Sequence, residues 1–119
     1  MILVVDDDEA MAENCSMFLE AKGFDVCVAR SGAEALARIC ENIPELVISD
    51  CSMPGMSGIQ LSKYLKDNPL TAHLPIILMS ASLRCDAAPG LSYNGFLRKP
   101  FLAEKLLAEV QHLLPSTPD

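Results

Sequence analysis

Positive charge is scarce in this chain: nine Lys and Arg face sixteen Asp and Glu among 119 residues, a formal net charge of −7. A surface that neutralises nucleic-acid phosphates needs the opposite balance, which argues against direct DNA or RNA binding by this segment. Long apolar runs are also missing. Spanning a bilayer takes about 20 consecutive apolar residues, and the longest stretches here, such as Leu74 to Met79, contain Pro75 or are bounded by polar residues. Met1 leads into an apolar run that ends on three aspartates, with neither the basic start nor the small-residue cleavage site of a secretion signal. The expectation is a soluble, cytoplasmic protein with no membrane contact. The five cysteines (Cys15, Cys27, Cys40, Cys51, Cys85) are an odd set without a C-x-x-C pair, so neither a disulfide framework nor a zinc site is signalled. Cys15, Cys27 and Cys40 lie in apolar segments and are expected to pack as small hydrophobes. Half the residues are hydrophobic, which at this length suits one domain with one core and is too little for two.

What is present is an alternation. Ile2 to Val5 is a β-branched apolar run stopped by Asp6-Asp7-Asp8, the pattern of a strand buried on both faces. From Glu9 to Lys22, Met11, Cys15, Phe18 and Leu19 recur at helical spacing, and Gly23 stands where a left-handed cap would close the helix. Phe24 to Ala29 reads as a second strand. Ser31 and Glu34 have capping-box spacing ahead of a helix with Ala33, Leu36, Ala37 and Cys40 along one stripe. Leu46-Val47-Ile48 is a third strand ending at Ser49-Asp50, followed by a Pro/Gly-rich loop, Cys51 to Met56, and a helix opening near Ser57 with Leu61 and Leu65 inward. Pro75 to Met79 and Gly95 to Arg98 are strands four and five. Leu102, Leu106, Val110 and Leu113 mark the inner stripe of a last helix reaching Leu114, and Pro115 to Asp119 reads as a tail or the start of a linker.

Strands alternating with helices imply right-handed crossovers and a doubly wound, five-stranded parallel α/β sheet with helices on both faces. In such folds the reactive crevice lies beyond the carboxyl ends of the strands. Those ends carry Asp6 and Asp7, Asp50, Ser80 and Lys99. Three converging carboxylates repel unless a cation sits among them, and an all-oxygen donor set suits Mg²⁺. A carboxylate can also act as a nucleophile toward phosphorus if the charge on the transferred group is neutralised, a role open to Mg²⁺ and Lys99. The hydroxyl of Ser80 could donate a hydrogen bond to a phosphoryl oxygen. Each residue type therefore has a part in phosphoryl transfer.

The segments ILVVDDDE from Ile2, LVISDCSMPGMSG from Leu46, ILMSAS from Ile77 and FLRKPF from Phe96 resemble the receiver domain of two-component response regulators, with the match running over residues 1–114 and the tail 115–119 outside it. The resemblance implies the flavodoxin-like strand order 2-1-3-4-5. It implies that Asp50 is the phosphoacceptor, charged by a histidine kinase or histidine phosphotransfer protein and controlling a downstream effector domain or protein, with a phosphorylation-dependent dimer open to it. Asp7 would bind Mg²⁺ directly and Asp6 largely through water, with Asp50 and the backbone carbonyl of Ser52 completing the ligands. Ser80 takes the switch hydroxyl position, Phe96 the aromatic switch position and Lys99 that of the active-site lysine, with a cis peptide before Pro100. On phosphorylation Ser80 would move toward the phosphoryl group and Phe96 into the space it leaves.

Ala81 leaves the acceptor accessible, and the short Ser52 and Ser82 leave water a path, so a phosphorylated lifetime of minutes is expected. The chain departs from the family between Ser80 and Phe96, where Pro89-Gly90 interrupts helical patterning. The helix expected there, the fourth, is short or irregular. Cys51 beside the acceptor invites a redox role, against which side-chain alternation turns it away from Asp50. His73 and His112 are expected on the surface. The competing class is a small Mg²⁺-dependent phosphohydrolase with an Asp nucleophile, but in those enzymes the nucleophile usually follows the first strand. The leading expectation is a signalling phosphoacceptor and not an enzyme with turnover.

Overall fold

A computed structural model describes residues 1–81 and 93–114. The described elements are β1 (Ile2–Val5), α1 (Glu9–Ala21), β2 (Val26–Ala29), α2 (Gly32–Glu41), β3 (Leu46–Asp50), α3 (Gly58–Asp67), β4 (Ile76–Ser80), β5 (Gly95–Arg98) and α4 (Ala103–Leu113). All five strands run parallel in the order β2-β1-β3-β4-β5, as expected. Every residue of β1, β3 and β4 is buried. That is why their sequences are unbroken apolar runs, with polar residues only at the carboxyl end of β3 and β4.

Alternation along the strands divides the interior in two. Leu3, Val5, Val47, Ile76 and Leu78 pack with Ala35 and Ile39 of α2 and Leu61 and Leu65 of α3. Ile2, Val4, Ile48, Ile77, Met79 and Leu97 pack with Cys15 and Leu19 of α1 and Leu106 and Val110 of α4. The sheet thus has an α2/α3 face and an α1/α4 face. Among the described residues no helix is long and apolar enough to cross a membrane.

The helix ends follow local chemistry. Asp8 caps α1, its side chain accepting from the Met11 N–H. At the other end Gly23 takes φ +97°. Its N–H reaches the Glu20 carbonyl while the Phe24 N–H reaches that of Leu19, a closure that needs a left-handed residue and lets Phe24 pack back with Leu19. Phe24 therefore belongs to this turn, and β2 begins later than the apolar pattern implies. Ser31 caps α2 by accepting from Glu34 N–H, but the Glu34 carboxylate reaches back to Arg30 N–H instead of Ser31. The full reciprocal box is at Ser57 and Gln60, at the start of α3.

Two packing expectations are corrected. Cys40 is exposed, and so are Ala33 and Ala37, because α2 turns Gly32, Ala35 and Ile39 inward; the larger Ile39 sets the stripe and the neighbouring row points out. Cys27, half-buried on an edge strand, packs against the α2/α3 interior, and Cys15 is buried, both as expected. Leu102 is exposed because it is the extended N-cap of α4 and not part of the helical stripe that buries Leu106 and Val110. His73 and His112 are exposed. The short helix expected between Ser80 and Phe96, Ser82, Cys85 and the tail 115–119 lie outside the described residues.

Candidate phosphoryl-transfer site

The ladders keep the carboxyl ends of the strands level. Val5 is opposite Ser49, Asp50 opposite Met79, and Ser80 opposite Arg98. Each ladder also continues a step: Asp6 N–H bonds Ala29 O at 3.1 Å, Cys51 N–H bonds Met79 O at 2.8 Å and Lys99 N–H bonds Ser80 O at 2.9 Å. One step past Val5 and Ser49, Asp6 lies beside Asp50.

Parity decides which side chains meet. Asp6 continues the row of Ile2 and Val4, Asp50 that of Leu46 and Ile48, and Lys99 that of Leu97, so all three belong to the α1/α4 face. Lys99 Nζ stands 3.1 Å from Asp6 Oδ2 and 3.2 Å from Asp50 Oδ1. Carboxylate oxygens of Asp6, Asp7 and Asp50 lie within 4.8 Å of one another. Ser80 continues the row of Ile76 and Leu78, and Phe96 packs against the same interior. These two therefore share the α2/α3 face, with Phe96 opposite Leu78 and diagonal to Ser80. The Phe96 ring centroid is 6.1 Å from that of Tyr93. Cys51 also packs on this face, away from the Asp50 carboxylate.

The three consecutive aspartates have three environments. Asp6 is fully buried and its Oδ1 accepts from the Asp8 N–H at 2.9 Å, an Asx turn that steers the chain out of β1. Asp7 is exposed, and Asp8 caps α1. Burial raises the Asp50 carboxyl above the ordinary aspartate value; Lys99 opposes the rise, and the charges of Asp6 and Asp7 add to it. Burial works against the Lys99 ammonium, but its hydrogen bonds and charge contacts with Asp6 and Asp50 outweigh burial and hold its pKa above the usual lysine value.

Among the described residues, three carboxylates against one ammonium leave two negative charges uncompensated. A hard dication with oxygen ligands fits that deficit. Asp6, Asp7 and Asp50 are the side chains able to hold it. Ser52, whose carbonyl the sequence reading adds, follows in the exposed part of the loop. The Lys99–Pro100 peptide bond is cis.

Two contributors escaped the sequence reading. A Cβ at Gly58 would stand 2.2 Å from the Asp50 carbonyl oxygen, so only glycine lets the first turn of α3 approach the Asp50 backbone. Its readable signal is a glycine placed directly after the Ser57 cap. Ser49 is fully buried and its hydroxyl donates to the Asp50 carbonyl at 3.0 Å. Its only signal is a polar residue within an apolar strand.

The family model described as "Response regulator receiver domain" matches residues 2–111. The chain is 38% identical over 116 residues to the phosphate regulon transcriptional regulatory protein PhoB of Rhizobium meliloti, covering 95% of this chain and 51% of that protein. It is 38% identical over 115 residues to the response regulator PleD of Caulobacter vibrioides, covering 94% of this chain and 25% of that protein. It thus spans about half of the first of these curated relatives and a quarter of the second. Among solved structures, the chemotaxis response regulator CheY4 of Vibrio cholerae superposes with a TM-score of 0.86 at 30% identity, covering 94% of this chain and 96% of that one. A response regulator receiver domain protein from Clostridium thermocellum gives 0.86 at 29% identity, with 97% and 94% covered.

Proposed function

This chain belongs to the response regulator receiver domains of two-component signalling, and from that premise we propose that Asp50 is its phosphoacceptor and Asp6, Asp7 and Lys99 are the groups that make acceptance possible. The observation that carries this reading is the Lys99 ammonium bridging Asp6 and Asp50 within a cluster of three carboxylates. Histidine kinase input and effector output come with the family. A histidine phosphotransfer protein as the donor, and a phosphorylation-dependent dimer, are part of the proposal.

In the step itself an oxygen of the Asp50 carboxylate forms a bond to phosphorus as the P–N bond of a phosphohistidine breaks. The electron pair of that bond leaves with the imidazole nitrogen. Lys99 holds its ammonium against Asp50 Oδ1, where it neutralises charge on the carboxylate and on the arriving phosphoryl oxygens. When bound by Asp6, Asp7, Asp50 and the Ser52 carbonyl, Mg²⁺ supplies the remaining positive charge. Ser80 presents its hydroxyl from the next strand and, by moving toward the new phosphoryl group, frees space that Phe96 on the same face enters. The reaction stops at one phosphoryl group per chain, which separates it from a phosphohydrolase, a reading the comparisons do not favour. With short polar residues at positions 52 and 82, the acyl phosphate lasts minutes after the donor is removed; overnight persistence would contradict that.

The test is phosphoryl uptake from acetyl phosphate with and without Mg²⁺, for the native chain and Asp50→Asn. Uptake by the native chain only with Mg²⁺, and none by Asp50→Asn, is expected. Equal uptake by Asp50→Asn would sink the assignment.

A further inference from the structure

Ser49 has no part in the chemistry just described, yet it touches the acceptor. It is a fully buried polar residue in a strand otherwise of Leu, Val and Ile before Asp50. A hydroxyl in such a place is costly unless hydrogen-bonded, and this one donates to the Asp50 backbone carbonyl at 3.0 Å. That carbonyl sits one step beyond the Val5–Ser49 register, where β1 has already ended. From the side, the same group meets Gly58, whose missing Cβ would lie 2.2 Å from the Asp50 oxygen and 3.0 Å from Ser49 Oγ. Gly58 N–H in turn donates to the Cys51 carbonyl at 2.9 Å. The acceptor's peptide is thus held by a hydroxyl from the α2/α3 face and by the first turn of α3.

We propose that Ser49 is a positioning residue for phosphoryl uptake: its hydroxyl pins the Asp50 carbonyl, and so keeps the carboxylate on the opposite face of the strand aimed at Lys99 and Asp6. The carbonyl and the carboxylate leave adjacent bonds of one residue, so a peptide free to rock carries the reacting oxygen with it. Misplacement of a reacting group by about 1 Å can cost on the order of 10²-fold in rate, and partial loss of the pin costs less. Simple space-filling would be served equally by alanine.

The inference rests on Asp50 as acceptor, and the experiment separates the two. Phosphorylation by acetyl phosphate at saturating Mg²⁺ is compared for the native chain, Ser49→Ala and Ser49→Thr, together with the Asp50 carbonyl ¹³C resonance of each unphosphorylated protein. Ser49→Ala is expected to react about tenfold more slowly and to move that resonance upfield; Ser49→Thr, which keeps the hydroxyl and suits a strand, is expected within about twofold with the resonance in place. A native rate in Ser49→Ala, or equal loss in both variants, would overturn the proposal. If no protein takes up a phosphoryl group, the acceptor assignment falls, and an unmoved resonance in Ser49→Ala alone still overturns the pin.

Discussion

The two ends of the sheet each hold a half-buried lysine, and the contrast between them shows what makes one end reactive. At the carboxyl end Lys99 meets two carboxylates, and its pKa is raised. At the amino end Lys66 of α3 donates to the carbonyls of Leu74 at 2.7 Å and Ala72 at 3.2 Å and to Asn94 Oδ1 at 3.4 Å. Asn94 also binds Ile76 N–H through that oxygen. With neutral oxygens around it, burial dominates and the Lys66 pKa is lowered. The same residue type ties chain segments together at one end and sits in an unresolved charge conflict at the other. Carbonyl dipoles are satisfied once bonded, whereas a cluster with more carboxylates than cations stays receptive to added positive charge and to a group that consumes a carboxylate's charge.

Substituting each lysine by methionine tests the comparison most severely. Lys99→Met should lower the phosphorylation rate by about 10²–10³-fold, the scale of one preorganised charge-stabilising donor. Lys66→Met should leave that rate within about twofold while lowering stability by about 1 kcal/mol, because the part-buried Leu74 carbonyl loses its donor. Rates from acetyl phosphate and denaturant melts measure both; equal loss of rate in the two variants would erase the distinction. Gly58→Ala comes next, since its Cβ cannot coexist with the Asp50 carbonyl. It should cost about 1–3 kcal/mol in a melt, as overpacking does, and slow phosphorylation as well.

Asp50→Asn should act in the opposite direction and stabilise the fold at neutral pH, because burial and the charges of Asp6 and Asp7 disfavour the ionised Asp50 carboxyl. A carboxyl with a raised native pKa contributes stability below its unfolded pKa that is lost as pH rises through the native one. Melts of the native chain from acid toward neutral pH should show this loss, and Asp50→Asn should lack it. The mildest test is direct titration of the two lysine side chains by NMR. Lys99 should titrate above and Lys66 below the ordinary lysine value; the reverse order would contradict the contrast.

Most of this was legible before any coordinates. The apolar runs ending at Val5, Asp50, Ser80 and Arg98 specify parallel strands, and because such strands end level, the polar residues that stop them converge. What the sequence reading could not supply is the sharing of backbone between elements. Asp8 looks like one more acidic residue until α1 starts on it. Gly58 looks like an ordinary first-turn residue after the Ser57 cap until α3 is laid against Asp50. Leu102 matches a helical stripe by spacing alone, and only the start of α4 at Ala103 removes it. Similarly, Cys40 and Ile39 compete for the inner face of α2, and side-chain volume decides in favour of isoleucine.

The central claim is that the charge-crowded end of the sheet accepts a phosphoryl group on Asp50. Treating the native chain with acetyl phosphate and Mg²⁺, reducing the acyl phosphate with borohydride and mapping the product by mass spectrometry tests it most directly. The account predicts homoserine at position 50 and nowhere else; homoserine at another aspartate, or a stoichiometric phosphoryl group with residue 50 still aspartate, would contradict it.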